Sequence, residues 1–333
     1  MYMKRAGKFA LLSVLSGSLV LSACGNDQSV ETLEVAEVTR SIFYAPLYVA
    51  VEEGFFEEEG LDVDITTTWG GDKTMTALLA DSADIALVGA ETSIYVHAQN
   101  PMDSVVNFAA LTQTDGTFLV SREPIDDFSW DDLKGTTYLG QRAGGMPQMA
   151  GEFALASNGI DVEEDVVLDQ SVDYANIAAA FAAGTGDFVQ LFEPTASEFE
   201  REGVGHVVAS FGEESGILPY TGFITKESTV ENNEDALVKF NRALYKAQQF
   251  VQEEDSQVIA SSIEPYFEET PDDLIAQVVD RYRDQDSYAI DPYIDEDGWD
   301  HLQDIMEASG ELPAHFDYED LVNTTITDQA LQR

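Results

Sequence analysis

The chain has 333 residues, of which 63 are acidic and 16 basic, for a formal net charge of −47. So negative a surface repels nucleic acid, which is excluded as a partner, and acids spread along the whole chain fit solvation in high salt or alkaline surroundings. One cysteine, Cys24, permits no intrachain disulfide, and the four histidines, His97, His206, His301 and His315, lack metal-ligand spacing, so neither a disulfide framework nor a metal site is expected.

The first feature in chain order is a cluster of Lys4, Arg5 and Lys8, followed by an apolar stretch over 9–20 and the small residues of Leu21-Ser22-Ala23-Cys24. This is the three-part plan of an export signal. The stretch is interrupted by Ser13, Ser16, Gly17 and Ser18 and falls short of the roughly 20 apolar residues that a span needs. Its end resembles the lipobox of bacterial lipoproteins, in which the signal is cut before the cysteine and the thiol is diacylated. That resemblance implies a signal over 1–23, a lipid on Cys24, a polar leash over 24–32, and tethering to the extracytoplasmic face of the cell membrane. An ordinary signal peptide with an incidental cysteine is the alternative. Beyond residue 23 about 310 residues remain, which suits two lobes of about 100 to 200 residues each.

Leu33, Val35 and Val38 mark a first strand, and 41–44 a turn into a helix that Pro46 opens and Gly54 ends. Leu61, Val63 and Ile65 alternate with polar residues as in a half-buried strand, 72–80 reads as a short helix, and 85–88 is an apolar strand. Strands are expected at 118–120, 137–139, 166–168, 187–192 and 222–225, with helices from Gly144-Gly145-Met146-Pro147 to about 157 and over 175–183. Such alternation predicts parallel sheets covered by helices. The remainder is helical: Leu237, Phe240, Leu244, Ala247 and Val251 keep one stripe, Thr270 and Pro271 read as a cap and first position for Leu274, Val278 and Tyr282, and 299–306 forms a last helix.

Four strings, in this order, carry a family resemblance: Phe43-Tyr44-Ala45-Pro46-Leu47-Tyr48-Val49-Ala50 with Glu53-Gly54-Phe55-Phe56 and Glu59-Gly60-Leu61-Asp62-Val63; Ala83-Asp84-Ile85-Ala86-Leu87-Val88-Gly89; Asp132-Leu133-Lys134-Gly135; and Gly144-Gly145-Met146-Pro147. Together they resemble substrate-binding proteins of the NMT1/THI5-like, or nitrate/sulfonate/taurine, group. The resemblance implies an α/β, two-lobed periplasmic-binding-protein-like fold of type II. Its lobes, 33–120 plus 222–333 and 121–221, would be joined by a two-strand hinge, with the helical tail on lobe one. It further implies a small-molecule ligand, delivery to the permease and ATPase subunits of an ABC importer, no catalysis and no cofactor.

Strand-to-helix turns at the carboxyl ends of the strands should face the cleft, where free helix N–H groups can hold an oxygen. Those turns carry Phe43 and Tyr44; Gly89, Glu91 and Thr92; Arg142, Gly144, Gly145 and Met146; and Phe192 and Glu193. Aromatic residues interleave with them: Phe43, Tyr44, Trp69, Tyr95, Tyr174, Phe192 and Tyr220. Tyr44 and Trp69 are the expected stacking walls for a planar ligand, Trp69 at the rim beside Gly70-Gly71. Glu91 and Glu193 would repel a sulfonate and accept from an amino or protonated ring nitrogen, as in a thiamine-precursor-like heterocycle, unless they cap helices or pair with Arg142. A sulfonate, taurine or nitrate ligand is the alternative. A different class, an enzyme making the thiamine pyrimidine on the same fold, uses a cysteine-rich motif that this chain lacks.

Overall fold

The computed structural model describes residues 30–332. The expected signal, Cys24 as the expected lipid site and most of the expected leash lie outside the described residues. Among those described, no helix is long and apolar enough to cross a membrane.

Among the described residues, ten strands form two five-stranded sheets. The first sheet comprises β1 (Glu31–Glu37), β2 (Leu61–Thr67), β3 (Ile85–Gly89), β4 (Val105–Thr112) and β10 (Thr221–Lys226). The second comprises β5 (Thr117–Ser121), β6 (Thr137–Leu139), β7 (Val167–Asp169), β8 (Phe188–Phe192) and β9 (His206–Ser210). Their orders, β2-β1-β3-β10-β4 and β7-β6-β8-β5-β9, are the same pattern written twice. In each, the fourth strand is the one the chain forms on arriving from the other lobe, and it runs antiparallel to its neighbours. The sheets are therefore mixed rather than wholly parallel, because a strand entering from the opposite lobe meets the sheet from its carboxyl edge.

β5 corrects the expected boundary. The expected lobe one ends at 120, yet β5 pairs with β8 and β9, so the chain crosses at 113–116. It returns through 211–220, and the two crossings pair at Leu218 N to Gln113 O (3.0 Å) and Tyr220 N to Thr112 O (3.2 Å). Gly116 is required at the first crossing: a Cβ there would come within 2.6 Å of the Phe43 ring.

β4 and β9 are absent from the expectations above, whereas the helices Glu91–Ala98 and Thr195–Glu202 follow the turns expected to open them. β4 is buried along its whole length, so its apolar run lacks the alternation that marks a half-buried strand. The helix Glu227–Glu253 covers this sheet, Phe240 packing at 4.9 Å from both Phe56 and Phe223. At the helix Asp272–Asp284, Pro271 is the N-cap and Thr270 instead bonds Glu198 (3.0 Å), so the expected threonine cap is not formed. The tail also reaches the second lobe: His301, on the helix Glu296–Ala308, meets Phe153 edge-on at 5.5 Å.

Candidate functional site

The carboxyl ends of β1, β2 and β3 face those of β6, β7 and β8 across a cleft of about 610 Å³. Open α/β sheets place ligand crevices at this edge, where strand-to-helix turns leave backbone groups unpaired. Eleven of the thirteen predicted site residues line it: Tyr44, Trp69, Gly89, Glu91, Thr92, Arg142, Gly144, Gly145, Met146, Phe192 and Tyr220. Phe43 and Glu193 do not.

Phe43 is wholly buried one layer behind the wall, its ring centroid 5.0 Å from Tyr282, 5.8 Å from Tyr220 and 5.9 Å from Phe192. It supports the cleft aromatics rather than joining them. Glu193 turns away as well. Its carboxylate accepts from Ser197 N (2.9 Å) and Ser197 Oγ (2.8 Å), capping the helix Thr195–Glu202, and pairs with Arg281 at 2.6 Å. Its backbone carbonyl accepts from Ser41 Oγ at 2.7 Å. Each of these three oxygens is thus engaged within the protein; the alternative of a helix cap is realised and that of a pairing with Arg142 is not.

The aromatic walls come from both lobes. Tyr44 and Tyr220 stand on the first, and Phe192 with Tyr174, 6.3 Å apart edge to face, on the second. Trp69 lies at the mouth, 49% exposed, with a φ of +59°. A bulky side chain in the left-handed region costs about 1–2 kcal/mol, a conformation that holds the indole at the rim. Its carbonyl accepts from Lys73 Nζ at 3.0 Å. Arg142 meets Asp72 at 3.4 Å across the mouth, both more than half exposed. Both cations lining the cleft are therefore engaged at its edge, and neither reaches its base.

The base carries a carboxylate. Glu91 opens the helix Glu91–Ala98, and its Oε1 accepts from Met146 N in the second lobe at 3.2 Å. Oε2 is buried with no hydrogen-bond partner among the described residues. Loss of hydration pushes this carboxyl up to about 7, the two backbone donors recovering only part. Asp115, in the first crossing, behaves likewise: Oδ1 takes Thr117 N at 2.5 Å and also Thr117 Oγ1, while Oδ2 has no hydrogen-bond partner among the described residues. Burial pushes Asp115 up to about 7.

Both folded values exceed the ordinary carboxyl range, so each group's contribution is fully present below about pH 4 and is lost as pH rises through about 7. Each lowers stability by up to about 1.4 kcal/mol per pH unit within that window and levels off above it. The thermal midpoint of the ligand-free protein should fall between pH 5 and 8, and Asp115→Asn should flatten that fall. A midpoint in the variant that drops as steeply as in the parent would contradict this assignment.

Thr39, Asp72, Lys73, Tyr95, Gln141, Asp173, Tyr174, Asn176 and Thr221 also line the cleft. Tyr95 and Tyr174 are among the interleaved aromatics. Asp173 and Asn176 stand on the turn after β7, a fifth cleft turn beyond the four expected, and the same strand-to-helix rule reaches them. No cluster of histidine, cysteine and carboxylates able to hold a metal occurs among the described residues.

Two α/β lobes closing on a cleft at their strand ends define the class as a two-lobed binding-protein fold. Residues 42–257 match the family described as NMT1/THI5 like, and the chain belongs to that family. It is 56% identical over 321 residues to YtlA of Bacillus subtilis (strain 168), covering 96% of each chain. It is 26% identical over 254 residues to the formylaminopyrimidine-binding protein of Halalkalibacterium halodurans, covering 74% of this chain and 75% of that protein. Among solved structures, it superposes with a TM-score of 0.71 on the alkanesulfonate-binding protein SsuA from Xanthomonas axonopodis pv. citri bound to MOPS, at 16% identity, covering 88% of this chain and 98% of that one. The last likeness confirms the expected two-lobed fold.

Proposed function

We propose that this protein is the lipid-tethered, extracytoplasmic solute-binding component of an ABC importer, and that it captures a planar nitrogen heterocycle of the aminopyrimidine class without transforming it. The observation that carries the ligand class is the pairing of aromatic walls with a buried carboxylate at the base, while Lys73 and Arg142 are engaged at the rim. An aromatic slot takes a flat ring, and an ionised carboxylate accepts from an exocyclic amino group or a protonated ring nitrogen. A sulfonate would meet that carboxylate as a like charge. The relative named for formylaminopyrimidine binding supports the same class. Tethering rests on the sequence ending at Cys24, and the importer on the family.

Isothermal calorimetry with 4-amino-2-methylpyrimidine, methanesulfonate and nitrate tests the ligand class. The aminopyrimidine alone should bind. At 100 times its dissociation constant it should add about 2.7 kcal/mol to unfolding stability. Tyr44→Ala should weaken it about tenfold, since a stacked aromatic contact contributes about 0.5–1.5 kcal/mol beyond its buried area. Binding of methanesulfonate or nitrate in its place would reverse the assignment.

A further inference from the structure

Glu91 belongs to the first lobe, but the group that accompanies it comes from the second. Met146 N, on Oε1 at 3.2 Å, is the first residue of the helix Met146–Ser157, so this bond exists only with the lobes together. Glu91 is 4% exposed, and Oε2 lies unpartnered over the Cα of Gly89, where a Cβ would come within 2.1 Å. Glycine at 89 therefore makes the room that the carboxylate occupies.

The titratable groups around it supply no compensating charge. Tyr44, Tyr95 and Tyr220 face Glu91, Glu311 lies beyond Tyr95, and Asp115 lies behind Tyr220. Arg142 is turned to Asp72, and Lys73 to the Trp69 carbonyl. With the lobes apart, water would solvate both carboxylate oxygens. Bringing them together removes that water, and Met146 replaces it at one oxygen only. Burying the second oxygen bare is unfavourable, because a buried charge needs both its pairing and its hydrogen bonds.

We propose that Glu91 makes lobe closure conditional on a hydrogen-bond donor in the ligand: an N–H on Oε2 allows the carboxylate to be buried against Met146, whereas a ligand with acceptors alone leaves it bare and the lobes apart. This deepens the heterocycle reading and rests on it. Selectivity then resides in a conformational step, since a sulfonate that fits the aromatic slot still fails to close it. A ligand can shift a two-state equilibrium only by its differential affinity for the two states, and Oε2 is where that difference arises.

The test pairs calorimetry with small-angle scattering on the full protein and on Glu91→Gln at pH 8, using 4-amino-2-methylpyrimidine and methanesulfonate as probes. Glutamine keeps the acceptor for Met146 and puts a donor where Oε2 stands, so the variant should melt no lower than the parent. In the parent, the aminopyrimidine should contract the radius of gyration and methanesulfonate should not. In Glu91→Gln, aminopyrimidine affinity should fall at least tenfold, and methanesulfonate should bind at least tenfold tighter than to the parent, with contraction. Equal aminopyrimidine affinity and contraction in both proteins would overturn the role of Glu91 and leave the heterocycle reading standing. Contraction of the parent by methanesulfonate, or no binding of either probe, would overturn both.

Discussion

Phe43→Ala is expected to lower unfolding stability by about 4 kcal/mol, the cost of emptying a large aromatic site in a packed core. The ring is enclosed by Tyr44, Phe192, Tyr220 and Tyr282, with centroids 5.0 to 6.0 Å away, and the backbone of Gly116 closes its remaining side. Those neighbours belong to both lobes and to the first crossing, so relaxation into the cavity would require several elements to move at once. Equilibrium urea unfolding measures the loss, and a value below about 1 kcal/mol would show that the ring is not held as described. The contrast with Tyr44→Ala is informative. Tyr44 lines the cleft, so its removal should register in ligand affinity, whereas loss of Phe43 should register first in stability.

Arg281→Ala is expected to cost about 3 kcal/mol, because it strands the buried carboxylate of Glu193. The pair is 2.6 Å apart, with the Glu193 side chain wholly buried and that of Arg281 25% exposed. Two donors from Ser197 remain, so the charge is not left entirely bare. Burial already pushes the Glu193 carboxyl up, and Arg281 opposes that shift. Without the guanidinium the folded value rises further, so the penalty should be greater at pH 8 than at pH 5. Urea unfolding at the two pH values checks the sign. Glu193→Gln in the Arg281→Ala background should recover most of the loss, and a double-mutant cycle with no coupling would refute the pairing. The pair also joins the loop after β8 to the tail helix Asp272–Asp284, tying the two lobes behind the cleft.

Much of this was legible in the sequence because it is local. Gly54 and Gly144 take the positive φ values their turns need, and Pro46 sits in the first turn of its helix. β2 shows its period of two because one face remains half open, while β4, buried on both faces, shows none and is not legible as a strand. β9 pairs only with β5, from which it is separated by most of the second lobe, so its place depended on a long-range partner.

The sequence by itself determined the export signal's pattern, the extreme charge, eight of the ten strands and four of the turns that face the cleft. Each follows from neighbouring residues and backbone sterics. Only the tertiary structure decided which side chains on those turns reach the cleft. Phe43 and Tyr44 are adjacent in one turn, yet one fills the core and the other lines the wall. Glu91 and Glu193 each follow a strand at the cleft edge, yet Glu193 is claimed by Ser197 and Arg281 and Glu91 keeps an oxygen free. The physical reason is that a buried carboxylate goes where its partners are, and those partners were set by a helix far along the chain and by the approach of the opposite lobe.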